Sequence, residues 1–226
     1  GGGPVVVAPA GLGAGTVIDG FTIKGANGSS DKGCAGIVCT DASPTISNNR
    51  IRENRGYYSA YLGSGIYCEG NSAPQIINNR VEENGTSYGY GGIYCKDSSA
   101  PVIAGNTIKN NKSSGTGGGI CCIGNSSPVI INNVITGNSS QSYGAAIHCA
   151  SAAATPVRIV NNTIVDHSGT QPAVACGSGT PPIIANNIIA FNYAGIYKYG
   201  TGAAPTCLHN DVFGNTGYAY GGSITD

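Results

Sequence analysis

The sequence predicts an all-β solenoid: a single-stranded right-handed parallel β-helix of about eight rungs, each made of three short strands. Three observations carry this expectation. Cysteines fall at Cys68, Cys95, Cys122, Cys149 and Cys176, each 27 residues after the last, and Cys39 lies 29 before Cys68. The stretch "GGIYCKDSSAPVIAGNTIKNN", Gly91 to Asn111, aligns without a gap on "GGICCIGNSSPVIINNVITGN", Gly118 to Asn138. Asparagine recurs once per repeat in two separate columns.

The first strand of each repeat is Ile-x-Cys: Ile66–Cys68, Ile93–Cys95, Ile120–Cys122 and Ile147–Cys149. Alternation with period two turns Ile and Cys to one face and the middle residue to the other. The second strand follows Pro74, Pro101 or Pro128 and centres on Ile76, Ile103 or Ile130. The third is Asn-x-(Ile/Val), as in Asn79–Val81, Asn106–Ile108, Asn133–Ile135, Asn162–Ile164 and Asn187–Ile189. Each is about 3–5 residues, a strand length and too short for a helix. Gly, Ser, Asp and Asn separate them, as turns require. Each strand is expected to pair with its copy one rung away, about 4.8 Å along the axis, in a right-handed coil. The rungs run over 16–215, after a Gly/Pro-rich lead-in at 1–15 and before a tail at 216–226. All of it reads as one domain, a processed or partial piece of a longer chain, because it begins at Gly1 without methionine.

The first asparagine column is Asn49, Asn79, Asn106, Asn133, Asn162, Asn187 and Asn210. The second is Asn54, Asn84, Asn111, Asn138, His167, Asn192 and Asn215. An inward amide at a bend satisfies backbone groups and its neighbours above and below, so both columns read as structural ladders. The nine cysteines invite a disulfide or metal reading. Six of them form one inward column, whose parallel Cβ vectors suit neither a disulfide nor a tetrahedral metal. They read as small buried hydrophobes, and no metal or cofactor is expected. Cys34, Cys121 and Cys207 fall off the column, and Cys121 is expected to face outward.

With Gly-Ile-Tyr-Cys, Ser-Pro-x-Ile and Asn-Asn-x-Ile in place, nearly the whole chain resembles the right-handed parallel β-helix repeat proteins, the superfamily that includes pectate lyases. The resemblance implies a groove floored by the outer face of the first strand and walled by the loop between the third and first strands. That floor reads Val38, Tyr67, Tyr94, Cys121, His148, Ala175 and Tyr197, with Tyr57, Tyr58, Tyr61, Tyr88, Tyr90 and Tyr143 in the loops. Rings with one polar edge suit sugars, so Tyr67, Tyr94, His148, Tyr197, Glu69 and Lys96 are the candidate glycan contacts. The competing reading is that tyrosine packs well on a sheet. Glu69 and Lys96 are also explained by a surface ion pair, and Asp41 and Asp97 by turn roles. The Asp pairs with Gly-His-Gly of polygalacturonases and the Asp-Pro-His-Glu of alginate epimerases are both absent. The catalytic residues of an enzyme reading are therefore unknown.

Net charge is zero and 10% of residues are charged, so no basic track for nucleic acid is expected. No signal peptide or membrane-inserting span is visible. Outward positions of the second and third strands begin charged, at Arg50, Arg52, Arg80, Glu82 and Lys109. They turn apolar later, at Ile131, Val134, Val160, Val165, Ile183 and Ile188. A contiguous apolar face asks for a cover: the chain's own tail, a neighbouring domain or a second subunit. Both ends look open, with Phe21 as an apolar plug at the first. Two functions follow. One is a non-catalytic extracellular or cell-surface module for structure, adhesion or surface assembly, with possible polysaccharide contact and self-association. The other is a carbohydrate-active lyase, hydrolase or epimerase, the only reading that would call for Ca²⁺.

Overall fold

The computed structural model describes residues 3–28, 35–56, 65–86 and 89–224. These residues coil into a right-handed parallel β-solenoid, with no helix among them. A first sheet of nine strands runs from Val6–Ala8 to Tyr220–Gly222. A second of eight runs from Val17–Asp19 to Thr206–Leu208, and a third of eight from Thr22–Lys24 to Asp211–Phe213. The eight strands of the second and third sheets are the rungs that the repeat predicts.

Register follows the sequence columns. Ile93 sits between Ile66 and Ile120, and Cys95 between Cys68 and Cys122. Ile46, Ile76, Ile103 and Ile130 stack in the second sheet, and Ile51, Val81, Ile108 and Ile135 in the third. All are fully buried. Each such side chain contributes roughly 1.5–3 kcal/mol by leaving water. The six column cysteines are buried and unpaired. Hydrogen bonding to the adjoining thiol, with burial, raises the thiol pKa of Cys39 and Cys122, and burial raises that of Cys176.

The corners explain the polar spacers. Asn48, Asn78, Asn132, Asn161 and Asn186 turn the second strand into the third at φ 55–57. This left-handed region is tolerated by asparagine better than by most side chains. The ladder asparagine comes next. Asn79 Oδ1 accepts from Asn49 N and Nδ2 at 2.9 and 3.1 Å. The pattern repeats to Asn210 Oδ1, which accepts from Asn187 N and Nδ2 at 3.0 and 2.9 Å. Each amide also donates back one rung, as Asn133 Nδ2 does to Ile103 O at 2.9 Å.

Four features depart from the sequence reading or were not foreseen. A fourth, five-stranded sheet of two-residue strands follows the second ladder, from Asn27–Gly28 to Ser139–Ser140. Its Gly, Ser and Lys residues carry no apolar alternation, so it reads as loop; ladder backbone such as Asn111 O, accepting from Ser139 N at 3.0 Å, holds it. The lead-in and tail each add a strand to the first sheet, Val6–Ala8 on Ile37–Cys39 and Tyr220–Gly222 on Ile196–Lys198. Phe21 is not a plug. Its N–H donates to Asn49 Oδ1 at 2.9 Å, so its backbone takes the ladder slot while its ring is 62% exposed. The cysteine column continues into Lys198, paired with Cys176. Lys198 is buried, and its Nζ donates to the carbonyls of Tyr199, Gly200 and Thr201 at 2.7, 3.3 and 3.3 Å.

Candidate functional site

The outer face of the first sheet carries Val38, Tyr67, Tyr94, Cys121, His148, Ala175 and Tyr197 in one column, as expected. The column is not an open floor. Tyr67, Tyr94, Cys121, His148 and Ala175 are buried, and only the two ends of the column, Val38 and Tyr197, are half-exposed. Tyr67, Tyr94 and Cys121 pack with Ala35, Val38, Tyr90 and Ile123 in a cluster separate from the main core. Tyr90 lies over Tyr94 with ring centroids 3.9 Å apart, and Tyr67 and Tyr94 are 5.3 Å apart. Where the chain enters the first strand the rungs approach closely: a Cβ on Gly91 would collide with the Gly118 carbonyl of the next rung. Tyr67, Tyr94 and His148 therefore present no ring face to a sugar in this structure. Tyr57, Tyr58, Tyr61, Tyr88 and Cys34 lie outside the described residues.

Cys121 is corrected in the same way. Its strand position faces outward, but its side chain is fully buried. Its Sγ lies 3.5 Å from His148 Nδ1 and 3.6 Å from Thr116 Oγ1. On the other side of the ring, His148 Nε2 is 2.5 Å from Tyr199 Oη, and Tyr143 stacks on Tyr199 at 4.0 Å. The sequence places His148 in the outward column as a candidate glycan contact and does not single out Tyr199. A signal existed. Tyr199 ends the second outward column, after Ala150 and Gly177, whose small size lets the phenol reach back to His148. A Cβ on Gly177 would come within 2.7 Å of Tyr199 Oη.

The chemistry of this row is that of a neutral network. Burial raises the Cys121 thiol, lowers the His148 imidazole to about 4 and raises the Tyr199 phenol to about 12. Near neutral pH it is thiol, imidazole and phenol. An activated cysteine needs the thiolate, favoured by a nearby cation, and neither condition is met.

Glu69 and Lys96 form the expected ion pair, at 3.2 Å, and Lys96 also reaches Asp97 Oδ2 at 3.5 Å. Burial alone would lower the Lys96 ammonium, but the pull of Glu69 and Asp97 outweighs it and raises its pKa. Burial, then the Glu69 carboxylate beside it, raises the Tyr67 phenol. Asp41 and Asp97 sit at φ 50 and 55 in the corner column that also holds Gly70 and Gly124. Asp41 Oδ1 accepts from Asn71 N at 2.9 Å. Among the described residues, no group of three or more His, Cys, Asp or Glu is arranged to hold a metal ion.

On the third sheet the sequence reading found the charges but not their arrangement. Glu82 has no exposed side-chain surface, and Arg50 Nε and Arg80 Nε each meet one of its oxygens at 2.5 Å. Lys109 Nζ stands 3.5 Å away. Burial alone would raise the Glu82 carboxyl, but hydrogen bonds from Arg80 and Arg50 outweigh it and hold the pKa below the usual range. Further along the rod, Val134 and Ile188 are 44% exposed, and Ile131, Val160, Val165 and Ile183 are half-buried. Leu208, Phe191 and Phe213, not foreseen, are exposed near the same end.

Residues 12–164 match the family model described as a right-handed beta helix region. No curated protein and no solved structure matches the chain.

Proposed function

This chain belongs to the right-handed β-helix family, and we propose that it is a non-catalytic extracellular or cell-surface module with a structural, adhesive or surface-assembly role. The observation that carries the proposal is the burial of Tyr67, Tyr94, Cys121 and His148. The face where a groove would lie is filled by the chain's own side chains. Those next to His148 are held neutral, and the acids beside them are occupied by a turn or an ion pair. The test is incubation with uronic-acid and neutral polysaccharides, with and without Ca²⁺, while following unsaturated and reducing ends. No new ends are expected. Their appearance with any one polymer overturns the proposal. Assembly is the part of the reading supported by the apolar outward columns of Ile131, Val134, Val160, Val165, Ile183 and Ile188. Burying such area favours contact at about 25 cal/mol per Å². Light scattering should show association that an Ile131→Lys, Ile188→Lys variant loses. A wild type that stays monomeric at high concentration removes self-association from the proposal.

A further inference from the structure

The first four strands of the third sheet are Thr22–Lys24, Arg50–Arg52, Arg80–Glu82 and Thr107–Lys109. Their central residues, Ile23, Ile51, Val81 and Ile108, point into the core. Everything they turn outward is polar: five cations, one carboxylate and two threonines. The chain's zero net charge therefore conceals a local excess. Arg52 is answered by Glu53 at 2.9 Å and more distantly by Glu83 at 4.0 Å. Glu82 is shared by Arg50, Arg80 and Lys109, and Lys24 is exposed with no carboxylate against it among the described residues. One buried carboxylate requires one counterion, and here it has three.

The way Glu82 holds its arginines matters as much as the charge. Both are engaged through Nε. Their Nη atoms have no protein acceptor among the described residues, and the two side chains remain 46% and 49% exposed. Arg50 and Arg80 are register neighbours, their backbones one rung apart, about 4.8 Å, and their guanidinium groups stand side by side over the one carboxylate. They are fixed from beneath and open above, the geometry that receives carboxylate or sulfate in bidentate fashion. Lys24 and Lys109 stand one rung beyond them at each end, in the neighbouring outward column that also holds Arg52 and Glu82. The four rungs make a strip about 14 Å long along the axis.

We infer that this strip binds a linear polysaccharide bearing an anionic group on each sugar, laid along the rod so that successive anions meet successive rungs. A pyranose ring advances its chain by close to one rung, which matches the two periods. Thr22 and Thr107 supply hydroxyls for the sugar's own. A nucleic acid fits less well. None of the four strands carries an aromatic side chain on which a base could stack. Phosphates along one duplex strand also recur every ~3.4 Å, out of step with the rungs. The inference gives the proposed scaffold a partner. It rests on that reading only in expecting the bound polymer to stay intact.

The test is direct binding at low and high salt to polygalacturonate, dextran sulfate, neutral dextran and single- and double-stranded DNA. Two variants accompany the wild type. Lys24→Gln with Lys109→Gln leaves both arginines on Glu82. Arg50→Lys with Arg80→Lys keeps the charge over Glu82 and removes the forks. Wild type should bind at least one anionic polymer at low salt, lose it at high salt and ignore neutral dextran. Each variant should bind about tenfold more weakly with unchanged circular dichroism, and the lysine-to-glutamine pair should also leave melting unchanged. Binding of the sulfated polymer alone identifies sulfate as the anion and supports the inference. It is overturned by no polysaccharide binding at low salt, by unchanged binding in both variants, or by DNA bound as tightly as either anionic polymer. Cleavage of a bound polymer would overturn the non-catalytic reading and leave this surface standing.

Discussion

His167 is the one histidine in a ladder of asparagines, and replacing it tests the ladder argument at a single atom. In the regular rungs a ladder Oδ1 accepts two donors from the rung before: Asn138 Oδ1 accepts from Asn111 N at 2.9 Å and Nδ2 at 3.0 Å. His167 accepts only the first of these, with Nδ1 at 3.0 Å from Asn138 N. Asn138 Nδ2 retains its bond to Ile108 O at 2.9 Å, and His167 Nε2 is buried without a partner. His167→Asn restores an amide acceptor and removes the orphan nitrogen. Against the loss of some ring packing, the expected gain at pH 7.5 is roughly 1–3 kcal/mol. The gain must also grow in acid. Burial lowers the folded-state imidazole from 6.5 to about 4. Between those values the unfolded chain binds the proton and the folded chain does not, so wild-type stability is full above 6.5 and falls as pH drops toward 4. At pH 5 the linked loss is about 2 kcal/mol. His148 shifts in the same direction but is common to both proteins and cancels. Guanidinium denaturation of wild type and variant at pH 7.5, 6 and 5 reads the difference. A gain that stays constant with pH refutes the neutral buried imidazole, and a loss at every pH refutes the ladder argument.

Two further outcomes follow from the same geometry. Asn133→Ala strips Asn106 N and Nδ2 of their shared acceptor and Ile103 O of its donor; it should cost roughly 3 kcal/mol or more in the same assay, and a cost under about 0.5 kcal/mol, typical of a surface change, would sink the ladder role. Tyr199→Ala should uncover His148 and Cys121, so that peptide mapping after brief native alkylation finds Cys121 modified while Cys68, Cys95, Cys122 and Cys149 stay protected. Equal labelling of Cys121 in wild type and variant would show that Tyr199 is not its cover.

The coil itself was legible because nearly all inward positions obey a repeat, His167 and Lys198 being departures from it. Isoleucine, cysteine and asparagine recur in columns whose only physical solution is stacking in register, and Ile46, Ile76, Ile103 and Ile130 do stack. The covered face was not legible. Whether Tyr94 or Cys121 meets water depends on the segment leading into its strand, and those segments vary in length and sequence from rung to rung. Composition likewise records Arg50, Arg80 and Glu82 as charges without saying that one of the three is buried beneath the other two. The fourth sheet escaped because its two-residue strands are chosen by ladder backbone rather than by their own side chains.

The outward columns give the rod a direction that its core lacks. Inside, isoleucine follows isoleucine from Ile37 to Ile147 with no change of character. Outside, the third sheet passes from Lys24, Arg52, Glu82 and Lys109 to Thr136, Val165, Ala190 and Phe213 in the corresponding column of successive rungs. A core under selection for packing alone would place no such demand on its surface, since solvated outward positions tolerate most substitutions within about 0.5 kcal/mol. Phe191 shows the point most sharply. It occupies a corner at φ 58, where other rungs carry Glu53, Glu83, Asn110, Gly137 and Asp166, and a bulky residue there is strained. Its ring is 58% exposed and meets Phe213 edge-on at 5.3 Å. Strain held by an exposed aromatic adds nothing to the core. The strain sits beside Phe213, at the apolar end of an outward column whose other end is ionic.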